Sequence, residues 1–118
     1  MYVLHHIGIE VQHLQNSLQF YQHFFDAKIG EKFLMDDEEI VFLELDSFVI
    51  ELIHSKQTGK KPQTSTVHFA LKVPNLMEEI AALTKKGFTA SDGPYHLSNG
   101  LKVVYYEGLD HEVIELME

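Results

Sequence analysis

Two stretches of this 118-residue chain recur in the same order at nearly the same spacing, and that internal duplication narrows the folds open to it. H-I-G-I-E-V-Q-H-L at 6–14 aligns with H-F-A-L-K-V-P-N-L at 68–76, and F-V-I-E-L-I at 48–53 aligns with E-V-I-E-L-M at 112–117. His6 and Glu51 lie 45 positions apart (51 − 6) and His68 and Glu115 lie 47 apart (115 − 68), so a two-residue indel superposes the halves. Each half carries one histidine early in its first apolar segment and one glutamate inside its last.

The pattern within each half predicts β-α-β-β-β. Residues 2–11 are rich in β-branched side chains and read as a strand, with Val3, Ile7, Ile9 and Val11 on one parity and His6, Gly8 and Glu10 on the other. Leu14, Leu18, Tyr21 and Phe25 recur every three or four residues, which predicts an amphipathic helix widened by Phe20 and Phe24 and capped near Asn16 or Ser17. Strands are expected at 28–35, 39–46 and 47–54, around an acidic turn at Asp36–Glu39 and a turn at Asp46-Ser47. Residues 55–66 are polar, hold Gly59 and Pro62, and read as a linker. The pattern then restarts, with a strand at 67–73 and a helix at 75–86 on Leu76, Ile80 and Leu83, and with Gly87 where the helix should end. A short strand at Phe88–Ser91, a loop at Asp92–Gly100 and two strands at 101–107 and 111–118 follow, the last pair joined by a turn at Gly108–Asp110. One domain is expected, with modules at 1–54 and 67–118.

Charge and composition close off several function classes. The net charge is −9 and all nine basic residues are lysine, so the clustered positive charge that nucleic acid and anionic membranes demand is lacking. No cysteine is present, which excludes disulfides, thiolate metal sites and thiol nucleophiles. No apolar run approaches the roughly 20 residues of a membrane span. The first residues lack the basic start of a secretory leader, so a cytoplasmic protein is the expectation.

Strand parity singles out four residues. Val67, Phe69, Leu71 and Val73 make one apolar face and His68 points away from it. Phe48, Ile50 and Leu52 oppose Glu51, and Ile114 and Leu116 oppose Glu115. If each helix covers the apolar face, His6, Glu51, His68 and Glu115 all look to the other side. A glutamate among apolar neighbours is costly to bury alone, and a divalent cation held by two imidazoles and two carboxylates would offset that cost. Taken singly, each of the four is an ordinary strand residue; the matched placement in a duplicated frame favours a metal site. Zinc, nickel, cobalt, manganese and iron all suit such a donor set.

The remaining histidines carry less. His5 shares the parity of Val3 and Ile7 and is expected under a helix or at the strand margin; His13 and His23 belong to the helix surface. His54 falls at a strand end, and His96 lies in a loop where it could meet a substrate. The Asp36–Glu39 run lacks the spaced ligands of a calcium loop. His111-Glu112 begins like a zinc-protease helix, but position 115 is glutamate and the segment is a strand.

H-H-I-G-I-E-V-Q-H-L-Q-N-S-L-Q-F-Y at 5–21, V-I-E-L-I at 49–53, V-H-F-A-L at 67–71 and G-L-D-H-E-V-I-E-L at 108–116 resemble the signatures of the vicinal oxygen chelate superfamily, the glyoxalase/bleomycin resistance/dioxygenase group. The likeness runs over nearly the whole chain, with His111 standing where a small turn residue such as glycine is usual. It implies an α+β fold of paired βαβββ modules forming a cup-shaped, mostly antiparallel sheet with helices on the outer face, commonly as a homodimer. Bleomycin-binding members lack the metal set, and dioxygenases and fosfomycin-modifying members lack the counterpart of Glu51. The full His-Glu-His-Glu set is similar to that of glyoxalase I and methylmalonyl-CoA epimerase.

That likeness implies a metal-dependent lyase or isomerase. The metal would stabilise an enediolate of a small oxygen-chelating substrate while Glu115 or Glu51, with Glu115 preferred, moves a proton. Glu10 stands where glutathione-dependent members carry an arginine, so a hemithioacetal of another thiol is the expected substrate. The alternatives are a non-catalytic small-ligand or metal-binding resistance protein of the same fold and, further off, an epimerase or a dioxygenase.

Overall fold

Alternating apolar residues and two amphipathic helices assemble as the duplication requires. A computed structural model describes residues 1, 4–35, 37–56 and 67–118. Residues 57–66 of the expected linker, the start of the first expected strand at 2–3, and Asp36 of the acidic turn lie outside the described residues. The chain divides into two compact units, Met1–Pro62 and Gln63–Glu118, each described here by itself.

The N-terminal unit runs β1 (His6–Glu10), α1 (Leu14–Phe25), β2 (Lys28–Met35), β3 (Glu38–Glu44) and β4 (Val49–Ser55). The C-terminal unit runs β5 (His68–Lys72), α2 (Leu76–Lys85), β6 (Asp92–His96), β7 (Lys102–Glu107) and β8 (Val113–Met117). The sheet orders are β1-β4-β3-β2 and β5-β8-β7-β6, so both units use one topology. In each, the first strand pairs in parallel with the last and the other neighbours are antiparallel. The fold is α+β, built from two βαβββ modules with mixed, mostly antiparallel four-stranded sheets.

In the N-terminal module Ile9, Leu43, Ile50 and Leu52 are all fully buried on the face that α1 covers with Leu18, Tyr21 and Phe24. Burying one such side chain contributes about 1.5–3 kcal/mol, which makes this face the one the module cannot surrender. Helix α1 begins one turn earlier than Asn16 and Ser17 suggest. His13 is its N-cap without a side-chain cap bond, its carbonyl accepts from Ser17 N–H at 3.0 Å, and Ser17 is buried in the helix body. The apolar Leu14 and Leu18 draw the first turn onto the sheet, and burial outweighs cap preference there.

In the C-terminal module Val104, Tyr106, Ile114 and Leu116 form the buried face, with Leu76 and Leu83 of α2. Burial first, and then the nearby Glu79 of α2, push the Tyr106 hydroxyl above its ordinary pKa. Asn75 caps α2 by accepting from Glu78 N–H at 3.0 Å. At the other end Gly87 takes φ +95°, Gly87 N–H bonds Thr84 O at 3.0 Å and Phe88 N–H bonds Leu83 O at 2.9 Å, a Schellman stop at the glycine the sequence marked.

One strand falls elsewhere than expected. Phe88–Ser91 is irregular and Asp92–His96 is the strand, inside the stretch read as a loop. Asp-Gly-Pro-Tyr-His has poor strand propensity and every residue of it is exposed, so no periodicity betrays it. It is tolerated because β6 is a sheet edge, where proline costs no ladder bond. Among the described residues no helix is long and apolar enough to cross a membrane.

Glu118 ties the end of β8 to α2. Its Oε1 accepts Leu76 N–H at 2.6 Å and its Oε2 stands 3.6 Å from Lys102 Nζ. The backbone bond from Leu76 is the main cause holding its carboxyl below the usual carboxylate range; burial opposes it and Lys102 assists. A group whose pKa falls on folding stabilises fully above its unfolded value, about 4.3, and the contribution is lost as pH drops through the lower folded value. Thermal unfolding followed from about pH 6 downward should therefore show a steeper loss for the wild type than for Glu118→Gln, with the two curves converging at the acid end.

Candidate functional site

The parallel register places the two histidines and two glutamates in matching positions. His6 pairs with Val49 and Gly8 with Glu51; His68 pairs with Val113 and Ala70 with Glu115. Period-two alternation then turns each histidine and glutamate to the face opposite the buried one. In the N-terminal module His6 Nε2 lies 3.5 Å from Glu51 Oε2. In the C-terminal module His68 Nε2 lies 2.9 Å from Glu115 Oε1, within hydrogen-bond reach. The glutamate side chains are only 17% and 14% exposed, against 38% and 52% for their histidines. Each module thus sets a mostly enclosed carboxylate beside a more open imidazole.

The neighbours repeat as well. Across β3 and β7 an aromatic ring stands opposite each glutamate, Phe42 against Glu51 and Tyr105 against Glu115. The His6 ring stacks on Phe42 with centroids 5.8 Å apart and planes at 29°; His68 meets Tyr105 edge-on at 6.4 Å and 68°. On the other side each glutamate has a small residue, Gly8 or Ala70. A Cβ on Gly8 would lie 3.3 Å from Glu51 Oε1 and 3.4 Å from Ile53 Cδ1, so the missing side chain leaves room for that carboxylate. These aromatic and small partners went unread in the sequence, although both lie at matched register positions of the repeat.

The two faces then diverge. Phe33 meets Phe42 edge-on at 5.5 Å, which makes the N-terminal face aromatic and apolar. The register sets Tyr95 beside Val103 and Asp92 beside Tyr105, on the face of Glu115. The Tyr95 hydroxyl donates to Asp92, and that bond first, with the Asp92 charge, raises the phenol's pKa. His96 pairs with Lys102 and so lies on the opposite side of the sheet from Glu115, which removes it as a substrate contact there.

His5 falls at the strand margin, one of its two expected places. It precedes β1 and is exposed rather than packed under α1, and its Nδ1 lies 2.8 Å from His6 Nδ1. His54 bonds the Val11 carbonyl through Nδ1 at 3.2 Å, and His111 bonds Glu107 at 2.6 Å in the β7–β8 turn, where it adopts φ +67°. That left-handed conformation accounts for the small residue usual at this place.

Within either module, no three His, Asp or Glu side chains among the described residues gather as a metal cluster; each module offers a pair. The pairs fit a cation. Two donors about 2.1 Å from a shared ion stand about 3.0 Å apart at a right angle and about 3.4 Å apart at a tetrahedral angle. The observed separations of 2.9 and 3.5 Å match that range. Imidazole nitrogen with carboxylate oxygen is a donor set for borderline divalent metals.

The structure thus presents a twice-repeated βαβββ frame with a strand-borne His–Glu pair in each repeat. The family is settled by comparison: residues 3–116 match the Glyoxalase/Bleomycin resistance protein/Dioxygenase superfamily, and the chain belongs to it. Comparison with curated proteins gives no match. Among solved structures, a glyoxalase family protein from Enterococcus faecalis is similar at TM-score 0.81 and 23% identity, covering 98% of this chain and 96% of that one. A glyoxalase family protein from Bacillus cereus is similar at TM-score 0.76 and 16% identity, covering 100% and 94%. A mutant glyoxalase I from Zea mays is similar at TM-score 0.80 and 18% identity, covering 98% of this chain but 44% of that one. At these identities the structural likeness bears on the fold alone.

The close approach at Gly8 gives a test of the site's construction. Gly8→Val should cost about 1–3 kcal/mol in urea unfolding, because the branched side chain must push Glu51 or Ile53 aside. Gly8→Ala, needing a shift of only a few tenths of an ångström, should cost less than Gly8→Val in the same assay.

Proposed function

We propose that this protein is a metal-dependent lyase or isomerase of the glyoxalase kind, in which one His6–Glu51 pair and one His68–Glu115 pair ligate a single divalent cation. The observation that carries the reading is the repeated pairing of a first-strand imidazole with a last-strand carboxylate, 3.5 and 2.9 Å apart, on the uncovered face of each module. Family membership supports the same assignment. Zinc, nickel, cobalt, manganese or iron would suit the site, and when bound would supply Lewis acidity to two neighbouring oxygens of a small substrate.

The chain's own residues would carry the proton. Glu115 takes it from the carbon beside a substrate carbonyl and returns it to the adjacent carbon, so that the reaction isomerises without net change in atoms or charge. Glu115 is preferred over Glu51 because Tyr105, opposite it, offers a phenol to the oxygen on which charge develops, whereas Phe42 opposite Glu51 has none. The apolar Phe33–Phe42 wall would exclude water beside His6. A hemithioacetal of a thiol other than glutathione is the proposed substrate, since the chain has no arginine and Glu10 ends β1 exposed. A homodimer, as the resemblance implies, is part of the proposal; light scattering should return twice the mass of one chain.

The test is to titrate metal-free protein with each of the five cations and to assay methylglyoxal with several thiols. Glu51→Gln and Glu115→Gln should each weaken cation binding in calorimetry. With binding restored by excess metal, Glu115→Gln should lower kcat by about 10²–10⁴-fold, the usual worth of a general base. Full occupancy and activity in both variants would sink the assignment. Tight ligand binding without turnover of any thiol adduct would instead identify a binding protein.

A further inference from the structure

His6 is held on three sides. Its Nε2 faces Glu51, its ring lies on Phe42, and its Nδ1 stands 2.8 Å from Nδ1 of His5, with the two rings nearly perpendicular at 81°. Two imidazole nitrogens at that distance share one hydrogen, because two lone pairs or two N–H groups would repel. His5 is not free to drift, since its carbonyl accepts Val49 N–H at 3.1 Å and ties it to the start of β4. The shared hydrogen belongs to one ring or the other, and which one decides what His6 presents to Glu51.

If His5 donated, neutral His6 would carry its own hydrogen on Nε2 and aim an N–H at the position a cation needs. Glu51 does not hold a hydrogen there, because 3.5 Å exceeds the reach of an N–H···O bond. If His6 donates from Nδ1, its Nε2 lone pair is left directed toward Glu51. Metal-bound histidines generally use their second nitrogen in this way, donating to an acceptor that fixes tautomer and ring direction.

We propose that His5 is a positioning residue: it accepts the Nδ1–H of His6 and so holds the Nε2 lone pair of His6 ready for the cation. This rests on the four-ligand reading above and adds a residue to it. The C-terminal module lacks the device, since Val67 precedes His68 and its side chain carries no nitrogen. The duplicated pairs are therefore held differently, His6 by the imidazole of the residue before it and His68 without such an imidazole.

The experiment compares wild type, His5→Phe and His5→Gln. Long-range ¹H–¹⁵N correlation on the metal-free proteins reads the His6 tautomer, and calorimetric titration with zinc or nickel reads affinity. Wild type should carry the His6 hydrogen on Nδ1. His5→Phe should move it to Nε2 and weaken cation binding about tenfold, the lower end of the usual effect of such partners. His5→Gln, whose side-chain oxygen accepts the same hydrogen, should recover most of the loss. A wild-type hydrogen on Nε2, or an unchanged tautomer and affinity in His5→Phe, would overturn the role of His5 and leave the four ligands standing. If all three proteins bind no cation, the four-ligand reading fails and this assignment falls with it.

Discussion

The parallel pairing of the first strand with the last governs everything else in each module. It sets Ile7 against Ile50 and Ile9 against Leu52, and in the second module Phe69 against Ile114 and Leu71 against Leu116. The inner members of these rows are buried to within 2%. A slip of one residue along a strand would exchange its two faces, burying a ligand carboxylate beneath the helix and turning leucine and isoleucine outward. The cost would be several apolar burials and an unpaired buried carboxylate at once. Core packing thus fixes where the glutamates point, and the site inherits its geometry from residues that have no chemistry of their own.

That dependence explains what the sequence made legible. Helices and strands that bury an apolar row announce it by period, and β1, β4, β5, β8 and both helices follow from theirs. The His–Glu pairs were legible because ligand and core residues alternate on the same strands. β6 was not, because a wholly exposed edge strand containing Gly93 and Pro94 has no buried row to reveal it. The start of α1 was missed for the opposite reason: cap chemistry at Asn16 and Ser17 is a weak preference, and burial of Leu18 and Ser17 overrode it. Phe42 and Tyr105 were hidden by an indel: the β7–β8 connection is one residue longer than the β3–β4 connection, so the spacing that aligns Glu51 with Glu115 sets Phe42 against Tyr106 instead. The strand margin expected for His5 held, but its contact with the His6 ring left no mark in the periodicity.

Duplication made the two His–Glu pairs alike, and divergence has made their surroundings differ. By strand register Phe42 corresponds to Tyr105 and Gly8 to Ala70, and by sequence His5 corresponds to Val67. All three differences touch the histidine or glutamate, while the apolar rows behind them stay apolar. Two like carboxylates do different work only when their environments differ. A site that needs one glutamate to stay a ligand and the other to move a proton would call for such a pattern of change.

Carrying each histidine on an end strand and its glutamate on the strand beside it, rather than on loops, has an energetic consequence. Each carboxylate is enclosed to more than four-fifths, and the histidine beside it stands within hydrogen-bond reach only in the C-terminal module. The chain is also strongly acidic, so the sheet carries these carboxylates against the repulsion of its own net charge of −9. A bound divalent cation would relieve both penalties, and because it would bind the folded strands and not the open chain, its affinity would add to the stability of the fold. The same enclosure that makes the glutamates costly in isolation would strengthen their hold on a cation, since little water would compete for their oxygens. Metal affinity and sheet stability are, on this reading, two measures of one interaction between β1 and β4 and its counterpart between β5 and β8.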